Sequence, residues 1–333
     1  MPPKILYDNH GRPLDYLRLA VTDRCNLRCF YCMPVQGIKY LPKGQLLTYE
    51  EMERLVKILA GLGIRKVRIT GGEPFVRKGL IDFLWRLKAI RGLEEINITT
   101  NGVLTEPYIP ELKAMGISSV NLSLDTLDKE AFHKITQQNE LNRVLSTLDQ
   151  LRKQTIPVKI NAVVMEGKNT DDLIPLAELS RNEKIDVRFI EEMPFNGSGQ
   201  HYPVLRWNYV KILDALKKQY PDIQKIKDSP HSTSYNYQIP GHKGTVGIIA
   251  AFSRTFCGTC NRIRLTAEGK LKTCLYDDGV MNLKNLIREG SSDQELEMAF
   301  LKAFAQRAKN GFEAEARRTS GIQVSESMAT IGG

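Results

Sequence analysis

The sequence predicts an α/β fold on a parallel sheet, either doubly wound or curled into a partial barrel. Three observations carry this. Short β-branched runs alternate with amphipathic stretches from Tyr16 to Met193, the pattern of strand–helix–strand crossovers. There are six such runs. Polar residues recur in the middle of five of them, where an open sheet covered by helices on both faces would be apolar throughout.

The elements follow in order. A strand over 16–21 carries Arg18 between Leu17 and Leu19. A helix over 48–62 opens with Thr48 and Glu51, the spacing of a capping box. A strand over 66–70 sets Arg68 between Val67 and Ile69, and a helix spans 79–90. The strand over 95–100 precedes a helix over 106–115. In the strand over 119–124, Asn121 and Ser123 share one face, because side chains repeat every two residues. One long helix is predicted over 128–154, then a strand over 158–164 with Lys159 and Asn161 on one face. A helix over 170–182 leads to a strand over 186–190, with Arg188 between Val187 and Phe189. Repeated polar residues inside parallel strands point to a shared lumen that binds something; the plainer reading is polar ends of edge strands.

After about residue 195 the texture changes. A Gly/Asn/Ser-rich turn at 195–199 precedes a helix over 206–219, and the Pro/Ser-rich stretch DSPHSTSYNYQIPGHKG follows. Short β-like runs come at 245–251 and 262–272, helices at 282–290 and 292–309, and then a polar tail ending in Gly332-Gly333. The division expected is 1–230 for the barrel and 231–333 for a C-terminal region.

Composition narrows the function. At 42% hydrophobic and 26% charged residues, the 333-residue chain reads as an ordinary soluble protein. The first residues hold no apolar signal-peptide core, and no run of ~18 apolar residues occurs. The expectation is a cytoplasmic protein with no membrane partner, in which clustered cysteines bind metal or do redox chemistry. A net charge of +9 suits a polyanionic partner, and equally a solvated basic surface. The notable basic residues alternate with apolar ones inside strands instead of forming a face with exposed aromatics, so nucleic acid is not the expected partner.

The six cysteines fall in two triplets. Cys25, Cys29 and Cys32 follow the first strand in the spacing CxxxCxxC. Three thiolates on one loop suit an iron–sulfur cubane with one iron left open; a zinc site completed by a distant His or Cys is the alternative. The segment VTDRCNLRCFYCMP resembles the cluster loop of radical S-adenosylmethionine (SAM) enzymes, and Gly71-Gly72-Glu73-Pro74 resembles the GGEP motif that holds the cofactor's amino group. The resemblance implies a partial (β/α)6 TIM-like barrel, with SAM cleaved reductively to a 5′-deoxyadenosyl radical that abstracts hydrogen from a substrate.

Cys257, Cys260 and Cys274 supply three more thiolates. His242, fifteen residues before Cys257, sits at no usual ligand spacing, so a second cluster is favoured over zinc. Arg262 and Arg264 point the same way along a strand and make a phosphate or carboxylate clamp. The segment FCGTCNRIRLTAEGKLKTCL, with VRITGGEPFVR, ITTNG, SVNLSLDTL, KINAVVMEG and the terminal Gly-Gly, resembles the GTP 3′,8-cyclase family along nearly the whole chain.

That resemblance implies two [4Fe-4S] clusters, the second carried by the C-terminal extension, with SAM as cofactor and GTP as substrate. Cys25, Cys29 and Cys32 would hold the first cluster, and Tyr31, Gly72, Ser123 and Met193 would contact SAM. Arg18, Arg68, Thr99, Lys159, Arg262, Ile263 and Arg264 would hold GTP. Cys257, Cys260 and Cys274 would hold the second cluster against the guanine, with Gly332 and Gly333 supporting radical formation. The implied product is 3′,8-cyclo-7,8-dihydro-GTP, the first step of molybdenum cofactor biosynthesis, passed to a downstream cyclic pyranopterin monophosphate synthase. A homodimer is compatible with it, and it names no electron donor.

Overall fold

The computed structural model describes residues 5–34, 36–197, 204–318 and 326–333. Its centre is a run of parallel strands joined by helical crossovers. Strands β1 (Tyr16–Ala20), β2 (Lys66–Thr70), β3 (Glu95–Thr100), β4 (Ser119–Ser123), β5 (Val158–Val164) and β6 (Asp186–Glu191) pair in sequence order, each parallel to the last. Helices α1 (Tyr49–Leu62), α2 (Leu80–Lys88), α3 (Ile109–Met115), α4 (Lys129–Thr136), α5 (Leu141–Lys153) and α6 (Leu173–Glu178) connect them. The Thr48–Glu51 capping box is formed. Met52, Leu55, Val56, Leu59 and Leu62 then make the buried stripe of α1, at the spacing that puts one helix face on a sheet.

The pleat sorts the strand residues. Leu17, Leu19, Val67, Ile69, Ile98, Val120, Leu122, Ile160, Val187 and Phe189 all join the main apolar core. Their alternates, including Arg18, Arg68, Thr99, Asn121, Lys159 and Arg188, line a concave inner cavity. One apolar face and one polar concave face make this an open, partial (β/α)6 barrel.

The single helix expected over 128–154 is two. Gln137 takes a left-handed conformation, φ 58°, and ends α4. The Thr136 hydroxyl turns back onto the Phe132 carbonyl at 2.8 Å. The amphipathic period runs on through the break, which is why it reads as continuous. The break has a use: the last α4 carbonyls, Thr136 and Ile135, accept the N–H groups of Arg28 and Phe30 at 2.9 and 3.3 Å, anchoring the first cysteine loop.

Beyond α7 (Tyr209–Gln219), the chain extends both edges of the same sheet. It contributes β7 (Gln224–Lys225), β8 (Ser234–Gln238), β9 (Thr245–Ile249), β10 (Arg262–Leu265), β11 (Lys270–Lys272) and β12 (Met281–Asn282). Strand β9 lies parallel to β6, and β10 parallel to β1. The order is therefore β12-β11-β10-β1-β2-β3-β4-β5-β6-β9-β8-β7. Strand β8 arises inside the Pro/Ser-rich stretch, and the run at 262–272 is a hairpin that turns through Gly269, φ 90°. Helices α8 (Leu283–Arg288) and α9 (Asp293–Phe304) follow, and two short helices, α10 (Gly311–Ala316) and α11 (Met328–Ile331), form where the sequence reads only as tail. Among the described residues no helix is long and apolar enough to cross a membrane.

Candidate active site

The inner face of the barrel encloses a cavity of about 690 Å³, within the range of small-molecule sites. All six cysteines line it. Curling the sheet has closed a gap of more than two hundred residues between the triplets.

The first triplet sits on the loop that leaves β1. Its backbone is paired with the GGEP segment: Gly72 N–H donates to the Thr22 carbonyl at 2.9 Å, and Glu73 N–H to that of Arg24 at 2.8 Å. A Cβ on Gly72 would stand 2.3 Å from the Arg24 oxygen, and one on Gly71 2.5 Å from that of Thr22. These glycines are there for close backbone approach. Glu73 is fully buried. It accepts from Thr100 Oγ1 at 2.8 Å, Asn101 N–H at 2.7 Å and Phe75 N–H at 3.2 Å, which joins β2 to the end of β3. Burial outweighs those bonds and pushes its carboxyl up to about 7. Asn101 in turn reaches Asn26 at 2.9 Å and the Cys25 sulfur at 3.7 Å.

Burial pushes the thiols up, Cys25 to about 11 and Cys29 and Cys32 further, and the three repel one another when ionised. A cationic metal centre reverses that sign. Among the described residues no three His, Cys, Asp or Glu side chains converge on one metal ion. Three thiols on one loop, all lining the cavity, are a donor set that suits an iron–sulfur cluster with one iron left open. Tyr31 donates to Asp125 Oδ2 at 2.7 Å, and it lines the cavity together with Gly72, Ser123 and Met193.

The cations stand in register. Arg264, Arg18 and Arg68 occupy one rung across β10, β1 and β2, while Thr99, Asn121 and Lys159 form another across β3, β4 and β5. Arg68 donates to Tyr16 Oη at 2.5 Å, and Lys159 to Asp186 at 2.8 Å. The Nε of Arg18, of Arg188 and of Arg262 are buried with no hydrogen-bond partner among the described residues, as are Thr99 Oγ1 and the side-chain oxygens of Asn121 and Asn161. Burial, reinforced by Arg264, Arg68 and Arg262, pulls the Arg18 guanidinium down to about 9; burial and Arg262 pull Arg264 down to about 10. Burial alone would raise the Tyr16 phenol, but the Arg68 and Arg18 charges bring it to about 7. Unmatched buried donors and crowded positive charge on one cavity describe an anion site. Ile263 is placed differently. Its side chain turns into the apolar core and does not line the cavity.

The second triplet lies between β9 and β10 and after β11. Burial raises Cys257, and raises Cys274 to about 11. It would raise Cys260 too, but the Arg262 and Arg307 charges outweigh it and bring that thiol to about 6. The C-terminal residues enter the same site. Ser327 Oγ donates to the Cys32 carbonyl at 2.5 Å, Arg264 to the Gly332 carbonyl at 2.6 Å, and Arg18 to that of Gly333 at 2.5 Å. Gly332 has φ 81°, and a Cβ there would stand 2.6 Å from Thr70 Oγ1. Residues 321–325, the start of the tail segment GIQVSESMATIGG, lie outside the described residues.

Sequence reasoning left three contributors unassigned. Tyr16 shares its strand face with Arg18, and period two alone would have found it. Arg188 reads as lumenal but carries no assigned role. Arg307 gave no signal, since its partners are distant in sequence.

Residues 19–180 match the family described as Radical SAM superfamily, and residues 185–313 that described as Molybdenum Cofactor Synthesis C. Molybdenum cofactor biosynthesis protein 1 of Drosophila melanogaster is 41% identical over 304 residues, 91% of this chain and 54% of that protein. The chain thus spans about half the length of the curated animal relatives it matches. GTP 3′,8-cyclase of Heliobacterium modesticaldum is 43% identical over 303 residues, 90% of this chain and 92% of that one. In fold, Streptococcus suis SuiB superposes with a TM-score of 0.61 at 14% identity, covering 89% of this chain and 67% of that chain. With two cysteine triplets and an array of cations on one barrel cavity, and this likeness along its length, the chain belongs to the GTP 3′,8-cyclase family of the radical SAM superfamily.

Proposed function

We propose that this chain converts GTP to 3′,8-cyclo-7,8-dihydro-GTP, with SAM and two [4Fe-4S] clusters as cofactors. The observation that carries this is the meeting of both cysteine triplets and six cations (Arg18, Arg68, Lys159, Arg188, Arg262 and Arg264) on one cavity. When bound, the first cluster and SAM supply one-electron cleavage to a radical that abstracts hydrogen.

The chain's own residues do the rest. Cys25, Cys29 and Cys32 hold the first cluster, while Gly72, Tyr31, Ser123 and Met193 orient SAM. Arg18, Arg68, Lys159, Arg262 and Arg264 bind the triphosphate, for which forked donors are suited, and Thr99 helps orient the nucleotide. Ile263 contributes to GTP binding only through its backbone. Cys257, Cys260 and Cys274 would hold the second cluster, which would supply a metal site for the guanine. The Gly332 and Gly333 carbonyls preorganise Arg18 and Arg264 and support radical formation. Holding ribose C3′ near C8 favours closing that bond over loss of the radical. The reading extends to a reducing, cytoplasmic compartment, in keeping with free cysteines throughout. It also extends to a downstream synthase as consumer of the product, and to a homodimer.

The test is anaerobic incubation with reductant, SAM and GTP, followed by mass analysis. Formation of 5′-deoxyadenosine with matching loss of GTP is expected; 5′-deoxyadenosine without loss of GTP would reject the substrate. Reconstituted protein is expected to hold about eight irons per chain, and stoichiometric zinc without iron would reject both clusters.

A further inference from the structure

Behind the second triplet lies a buried ionic group that the proposed reaction does not use. Asp8, Arg12 and Arg307 are only 8%, 6% and 2% exposed, and none lines the cavity. One carboxylate oxygen serves both guanidiniums: Asp8 Oδ2 accepts from Arg12 Nε at 2.7 Å and from Arg307 Nη1 at 3.0 Å. Asp8 Oδ1 accepts the backbone N–H groups of His10 and Arg12, each at 2.9 Å. Burying three charges is costly for stability, and hydrophobic residues would do as well for packing alone.

What the group holds explains it. Arg307 uses all five N–H donors. Nε donates to the Thr273 carbonyl at 2.9 Å, next to Cys274. Nη1 reaches Asp8 and also the Cys260 carbonyl at 2.8 Å. Nη2 reaches the Arg262 carbonyl at 2.8 Å and the Cys260 sulfur itself at 3.2 Å. Arg12 covers the remaining cysteine, donating to the Cys257 carbonyl at 3.0 Å, with its other donors on Lys309 and Ala308. Two guanidiniums on one carboxylate thus fix the backbone at all three cysteines. Lysine, with three donors and no planar fork, cannot reproduce this.

We infer that Arg307, charge-balanced by Asp8, is a positioning residue for the second cluster, setting the spacing of its cysteines and raising its reduction potential through Cys260. This rests on the two-cluster reading above. A cation and an N–H donor at a ligand sulfur stabilise the more negative, reduced state.

The experiment uses the full chain with Cys25, Cys29 and Cys32 changed to Ala, reconstituted anaerobically so that only the second triplet is available. The readouts are the midpoint from an EPR-monitored redox titration and the rate of iron release to a chelator. Arg307→Gln is expected to move the midpoint to more negative potential and to speed iron release roughly tenfold. Asp8→Asn keeps Oδ1 as acceptor and leaves the guanidiniums uncompensated, so its midpoint is expected to move the opposite way. Arg307→Lys guards against a variant that fails to fold: it keeps the charge, loses the fork, and is expected to fall between wild type and Gln. An unchanged midpoint in Arg307→Gln, or a shift of the Gln and Asn variants in the same direction, would overturn the assignment. A parent that takes up no iron would overturn the two-cluster reading and this assignment together. None of these readouts involves GTP, so an error in the substrate leaves them intact.

Discussion

Arg262 shows how much one side chain can carry here. Its Nε and Nη2 are buried without a partner among the described residues, and each charge-assisted bond to a phosphate is worth about 1.5–3 kcal/mol. Arg262→Ala is therefore expected to weaken GTP binding roughly tenfold or more, with a smaller effect on SAM, by calorimetry on each ligand. Equal losses would indicate misfolding. Glu73 gives a pH test. Its carboxyl rises from 4.5 to about 7 in the fold, so the native state holds the proton more tightly than the unfolded chain. The stability it contributes is fully present below pH 4.5 and is lost as pH climbs towards about 7. The melting-temperature difference between wild type and Glu73→Gln should change across that window; a flat difference would contradict the burial argument. At this scale the cysteines, Arg18, Arg68 and Lys159 were legible from spacing and strand parity, and Gly72 through its resemblance to the GGEP motif. Ile263 shows the limit: adjacency to Arg262 and Arg264 in sequence puts its side chain on the opposite face.

Among the elements, the strands were the most legible, since period two and β-branching are local properties. The split of α4 from α5 was not. Its cause is the backbone of Gln137 and the demand of the cysteine loop for the Thr136 and Ile135 carbonyls, and neither interrupts the apolar period. Strand β8 escaped for a related reason: its partner β9 supplies the hydrogen bonds that its composition does not advertise. The GGEP turn is the element whose failure is most readily read out. Gly72→Ala would place a methyl group 2.3 Å from a backbone oxygen of the cysteine loop, and backbone cannot yield as a flexible side chain does. That variant is expected to bind about four irons per chain instead of about eight, at the second triplet only. Full iron loading of both triplets would show that the loop tolerates the displacement.

At the scale of the whole molecule, the chain from 224 to 282 completes the sheet that the first half begins, bringing the second triplet and Arg262 and Arg264 to the lumen. The cavity brings Arg18, Arg68, Lys159, Arg188, Arg262 and Arg264 together. A nucleoside triphosphate is therefore expected to raise the melting temperature, by about 2.7 kcal/mol of added stability at a hundredfold excess over Kd. Guanosine without phosphates should give a much smaller shift at the same concentration; an equal shift would detach these cations from the triphosphate.

The sequence by itself determined the parallel α/β order, the two thiolate triplets, the GGEP turn and the parity of the lumenal cations, because each depends on residues a few positions apart. Only the tertiary structure decided that both triplets share one cavity, that the terminal glycines reach Arg18 and Arg264, and that Asp8 and Arg12 join Arg307 behind the second triplet. Those contacts join residues from 68 to 315 positions apart, and their geometry is set by how the sheet curls rather than by any local pattern.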